Sequence, residues 1–161
     1  MALVKKIKDR KVNIEFNKEF IKVINEKIKS QDTDFLAKSL KELLPADSAD
    51  IIENLSPENR SKLIELEGFN IDPEIFVELN ESIQTEIFLL LSVESIASLL
   101  KKLESDNALK ILENLDKSKK ETVLNKLPPK DRFLLEEGLS YPEDTAARIM
   151  QREFTAIPSN W

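Results

Sequence analysis

Every twelfth residue from position 43 is leucine with one exception: Leu43, Leu55, Glu67, Leu79, Leu91, Leu103, Leu115, Leu127 and Leu139. Eight and nine positions after successive markers stands an apolar pair: Ile51/Ile52, Leu63/Ile64, Ile75/Phe76, Ile87/Phe88, Leu99/Leu100, Ile111/Leu112 and Val123/Leu124. Twelve residues advance a continuous α-helix by about 3.3 turns, so a fixed apolar position would rotate away by roughly 120° per repeat. One long helix is excluded. The pattern predicts helices of about eight or nine residues, each followed by a turn that resets the phase.

The turn chemistry agrees with that division. Capping residues follow the markers at Ser56, Asn80, Ser92 and Asp116, and Ser56-Pro57-Glu58 orders a cap, a first-turn proline and a first-turn acid. Pro45, Pro73 and Pro129 fall at or near the same place, where a missing N–H costs nothing. So short a helix is marginal alone in water and must be stabilised by its neighbours. Stacked units of this kind make an all-α solenoid or superhelix. Residues 32–43, with Asp32 as cap and Phe35, Leu36 and Leu40 as apolar face, form an earlier unit, and residues 17–30 form a longer first helix that caps the stack. At Glu67-Gly68-Phe69 the marker is lost; the glycine either bends the stack or simply ends a helix.

Composition narrows the chemistry available to the 161 residues. The chain has no His and no Cys, which excludes His-based triads, thiolate chemistry, disulfides and the usual zinc sites. Its two glycines, Gly68 and Gly138, cannot build a dinucleotide fingerprint or a phosphate-cradling loop. Apolar runs such as Ile87 to Leu91 are far short of a membrane span, and the start lacks the apolar core of a secretory signal, so the expectation is a cytosolic, soluble chain. A net charge of −6 divides unevenly: residues 1–31 hold nine Lys and Arg against four acids, a local +5, leaving −11 for the rest. The basic head reads as the solvated face of a first helix, and nucleic acid is not an expected partner. The acidic body attracts cations or a basic protein surface.

After Leu139 the period fails. Tyr141-Pro142-Glu143-Asp144 is a proline turn able to start a short helix, and Phe154-Thr155-Ala156-Ile157 alternates like a β-strand that has no partner elsewhere in the chain. The expected organisation is therefore a helical domain over 1–140, comprising a basic first helix (1–31) and the repeat array (32–140), followed by 141–161 as a junction into another domain.

Two segments carry a family resemblance. Leu43-Leu44-Pro45-Ala46-Asp47-Ser48-Ala49-Asp50-Ile51-Ile52-Glu53-Asn54-Leu55-Ser56-Pro57-Glu58 resembles the opening of the cytosolic N-domain of MgtE-family magnesium transporters. Tyr141-Pro142-Glu143-Asp144-Thr145-Ala146-Ala147-Arg148-Ile149-Met150, with Phe154-Thr155-Ala156-Ile157, resembles that family's junction into its first CBS domain. Lying in order at the two ends of one repeat array, they extend the resemblance over roughly residues 30–160 and identify 141–161 as the first segment of a truncated CBS domain.

The resemblance implies a right-handed helical superhelix that acts, with a CBS pair, as the cytosolic magnesium sensor of a homodimeric membrane channel. Its partners would be the CBS and transmembrane domains of the same full-length chain. Mg²⁺ between the N-domain and the CBS domains would favour a closed state. Matched to the repeat register, the family's interface acids fall at Glu74 and Asp106, with Asp144 near the hinge as a third candidate. Read from the residues alone, all three are helix-start carboxylates favoured by the helix dipole. Asp47, Asp50 and Glu53 on one early helix are read as first-turn and surface charge, and Tyr141 and Trp161 as possible interface anchors. The rival expectation is a helical-repeat module that binds a protein segment without sensing a metal. An enzyme would have to work with carboxylates and lysines alone on a shallow solenoid surface, and none is expected.

Overall fold

A computed structural model describes residues 14–67 and 70–152, with side chains from residue 18 onward. Among these residues all regular structure is α-helical: α1 (Ile14–Lys29), α2 (Thr33–Glu42), α3 (Pro45–Glu53), α4 (Pro57–Glu67), α5 (Pro73–Glu78), α6 (Glu81–Leu90), α7 (Val93–Leu100), α8 (Ser105–Glu113), α9 (Lys117–Lys126), α10 (Pro129–Ser140) and α11 (Ala146–Ile149). The expected strand at 154–157, the anchor Trp161, and Gly68 with its bend lie outside the described residues.

The starts at residues 45, 57, 81, 93, 105, 117 and 129 keep the twelve-residue spacing without error. Except for Leu139, which lies inside α10, the marker leucines stand at the joints between helices. Leu43, Leu79, Leu91 and Leu127 each follow a helix in extended backbone, and Leu79, Leu91 and Leu127 are buried. An extended, buried leucine stops the helix and fixes the next one, because the side chain that would continue the helical stripe is instead committed to the core. All seven apolar pairs are buried as well. Each such side chain contributes about 1.5–3 kcal/mol by leaving water, which is how helices of six to twelve residues persist. Caps at Asp32, Ser56, Asn80 and Asp116 accept the backbone N–H three residues on, at 3.2, 3.3, 3.0 and 2.9 Å.

The helices form two compact units divided between Ser92 and Val93. In the first, α1 packs on α2 and α4, α2 on α4, α3 on α5, and α4 on α6. In the second, α7 packs on α9, α8 on α10, and α11 on both α8 and α10. Most of these pairs are helices two apart in sequence.

A stack of short helices multiplies helix ends, and each C-terminus leaves backbone carbonyls without intrahelical partners. A side chain at a fixed repeat position answers this. Ser48 Oγ donates to the Leu40 carbonyl at 3.2 Å, Arg60 Nε to Ile52 at 3.1 Å and Gln84 Nε2 to Phe76 at 2.7 Å, each reaching back eight residues. Arg60 goes further: Nη2 donates to the Glu53 and Leu55 carbonyls at 3.1 and 3.0 Å, and Nη1 pairs with Glu86, although the residue is only 3% exposed. The register breaks once. Glu67 takes a leucine's place at the end of α4, buried, with Asn70 Nδ2 donating to its carboxylate at 3.1 Å, and α5 starts at Pro73, four residues later than the period calls for.

Two consequences are measurable. Arg60→Met takes one donor from each of three carbonyls and the partner from Glu86, and should lower unfolding stability by about 2–4 kcal/mol, against about 1–2 kcal/mol for Gln84→Leu. Urea midpoints at unchanged slope would show this, and losses below about 0.5 kcal/mol would refute the capping role. The second concerns acid. Lys27, 2.6 Å from Asp32, and the Phe35 amide hold the Asp32 carboxyl below its ordinary value of 3.8. A depressed carboxyl stabilises the fold fully above that value, and the stabilisation is lost as falling pH protonates it. Asp32→Asn should therefore flatten the acid limb of the stability–pH curve below roughly pH 4 and leave its neutral shape unchanged.

Candidate functional site

Glu74 sits in the first turn of α5, half-buried, its backbone N–H bonded to Asp72 Oδ1 at 3.1 Å. Asp72 caps the helix and Pro73 opens it, while buried Ile75 and Phe76 pin it to the core, so the position of the Glu74 backbone is fixed from both sides. Glu74 belongs to the first unit.

Asp106 is the second residue of α8 in the second unit, between buried Ser105 and the half-buried Asn107. Its Oδ1 is the one buried side-chain oxygen or nitrogen, among the described residues, that has no hydrogen-bond partner. A carboxylate oxygen removed from water without a donor is costly, so this position is not explained by folding stability. The helix dipole supports negative charge there but supplies no partner to Oδ1. Asp144 lies exposed in the turn before α11, where Thr145 Oγ1 donates to the Pro142 carbonyl at 2.7 Å and holds the turn.

The three acids do not share a ready-made cage. Among the described residues no group of three or more acidic side chains is arranged to hold a metal ion. Each therefore offers one carboxylate from a rigid helix start or turn, and an ion on any of them needs ligands from elsewhere or water.

Of the other early acids, Glu53 uses its carboxylate in the fold, and Asp50 contributes its backbone carbonyl. Glu53 Oε1 accepts the Asn80 backbone N–H at 2.6 Å, joining the end of α3 to the start of α6, and the Asp50 carbonyl accepts Asn54 Nδ2 at 2.8 Å. Tyr141 is partly exposed, with the Arg152 guanidinium 5.5 Å from its ring centre. Sequence reasoning missed the buried arginines Arg60, Arg148 and Arg152. A signal for the first was present: reading every twelfth residue from Ser48 reaches Arg60 and Gln84, which are polar positions inside an apolar repeat. It also missed Leu89 and Leu90, 71% and 50% exposed, which stand at register positions filled elsewhere by pairs such as Lys101/Lys102, Glu113/Asn114 and Asn125/Lys126.

The sequence profile of the MgtE intracellular N domain matches residues 43–144, from the first marker leucine to Asp144. The chain belongs to the MgtE N-domain family. Two solved structures share its fold. The soluble part of a magnesium transporter is 23% identical, covering 86% of this chain and 55% of its own, with a TM-score of 0.73. The cytosolic domain of the Mg²⁺ channel MgtE in complex with ATP is also 23% identical, covering 83% of this chain and 55% of its own, with a TM-score of 0.71. The MgtE N domain described here thus spans about half the length of the structures it matches. No curated protein matches it significantly. None of its described helices is long and apolar enough to cross a membrane.

Proposed function

We propose that this MgtE N domain is a regulatory, non-catalytic magnesium sensor of a magnesium transporter or channel, and that it closes against CBS domains when Mg²⁺ bridges the two and so gates transport. The observation that carries the reading is Asp106, a helix-start carboxylate with a buried oxygen left without a donor, inside a domain whose family is that of magnesium transporters. Magnesium suits such a site. It is a hard ion that takes oxygen ligands, retains several waters and needs only one or two carboxylates from each protein surface. Glu74, Asp106 and Asp144 are the residues that would hold it on this side, in part through water. Without the ion, acidic surfaces repel; with it, the closed arrangement is selected because only that arrangement supplies both halves of the site. The sensor works on the cytoplasmic side of the membrane, as a right-handed superhelix in a homodimer whose full-length chain supplies the CBS and transmembrane partners.

A second reading rests on a different observation. Leu89 and Leu90 expose apolar surface where other repeats are polar, as expected of a helical-repeat module that binds a protein segment.

Titration with magnesium chloride at constant ionic strength separates the two, using this domain joined to its CBS pair and following compaction by small-angle scattering. Asp106→Ala should abolish magnesium-driven compaction without lowering metal-free stability by more than about 1 kcal/mol, since a helix-start charge contributes little more than that. Compaction that survives both Asp106→Ala and Glu74→Ala would remove these ligands. Absence of any response beyond a sodium control would favour the interaction module.

A further inference from the structure

Residues 141–152 lie beyond the twelve-residue register yet are fastened to the helices. Arg148 and Arg152 are 6% and 7% exposed, rare burial for a permanently charged side chain. Arg148 Nε pairs with Glu113 Oε1 at 2.6 Å at the end of α8, and its Nη1 donates to the Gly138 carbonyl at 2.9 Å in α10. Arg152 donates through its backbone N–H to Ser105 Oγ at 2.9 Å, at the start of α8. Its guanidinium bonds the Ala147 and Met150 carbonyls and lies over the Tyr141 ring, which folds the segment upon itself. The segment therefore touches both ends of α8.

Gly138 makes room for this. A Cβ there would stand 2.6 Å from Leu109 Cδ1 and 3.0 Å from Arg152 Nη1. Any larger residue would press on the core leucine and on the arginine together.

We propose that residues 141–152 form a clasp with two positions. Clasped, residues 141–152 and the helices beneath them move as one body. Unclasped, roughly twelve residues become free tether with a reach of up to ~40 Å. The fastening is polar and small: two arginines, one glutamate, one serine and a few carbonyls. Ile149 and Met150, which a permanent attachment would bury, are instead 71% and 49% exposed. A segment held by a few directional bonds with little apolar burial opens more readily than the helices beneath it. The clasp does not depend on magnesium sensing.

Amide hydrogen exchange on this chain tests the clasp. The reporters are Arg148, Met150 and Arg152, whose N–H groups donate to Thr145 O, Ala146 O and Ser105 Oγ at 2.9, 3.0 and 2.9 Å. In the wild type they should exchange at least about tenfold slower than open chain, and faster than the core of α8. Arg148→Met and Gly138→Ala should each bring them to open-chain rates while α7 and α9 keep their protection. Should either variant loosen α7 and α9 as well, Ser105→Ala decides, since it takes the hydroxyl acceptor from the Arg152 amide and leaves both arginines and Gly138 in place. Acceleration of the Arg152 amide by about threefold or more with the helices intact supports the clasp. Wild-type reporters at open-chain rates, reporters as slow as the α8 core, or reporters unmoved in these variants would overturn it.

Discussion

Cutting a chain into helices of about ten residues creates a helix end every twelve residues, and the carbonyls at each end must find donors. The first unit meets this at three joints with a side chain placed in the first turn of a helix and directed back at the carbonyl eight residues earlier: Ser48 to Leu40, Arg60 to Ile52, Gln84 to Phe76. The extended marker leucine stops the helix, the cap side chain satisfies the freed carbonyl, and the apolar pair then buries the whole joint. Remove the donor, and the packing that stabilises the short helix would enclose an unsatisfied polar group. The caps therefore decide whether burial at the joints is favourable.

Seen this way, the candidate site is the place where the rule is not followed. Ser48, Arg60 and Gln84 each find an acceptor, whereas Asp106 Oδ1 in the second unit is buried without a donor. A helix start that leaves a buried carboxylate oxygen open, while the other buried side-chain polar atoms among the described residues have partners, is suited to a ligand from outside. In the function proposed above that ligand is magnesium, which accepts carboxylates and waters together. The clasp at 141–152 uses the same device as the joints, a buried arginine on a helix C-terminus, to tie down the chain as it leaves the array.

Much of the fold was legible because its cause is periodic. The marker leucines and apolar pairs located the joints and the core, and Asp32, Ser56, Asn80 and Asp116 gave helix starts that the structure reproduces. The late start of α5 was not legible, because the buried Glu67 with Asn70 replaces a leucine joint by a polar one whose geometry no period encodes. The candidate acids were named from family resemblance, not from spacing. In sequence Asp106 looks like any helix-start aspartate, and only its burial without a partner sets it apart. Arg148 and Arg152 were read as part of an outgoing junction because their partners, Glu113, Gly138 and Ser105, lie between ten and forty-seven residues away.

The measurement that bears most directly on the joint rule is a change of register at one joint. A single alanine inserted between Phe76 and Gln84 lengthens the reach from eight residues to nine and rotates the cap off its carbonyl, whereas a duplicated block of twelve residues restores the phase. Urea unfolding should show the single insertion losing several kcal/mol, with the twelve-residue insertion staying within about 1 kcal/mol of the parent. A single insertion tolerated as well as the full repeat would show that burial alone holds the helices, and that the caps are incidental.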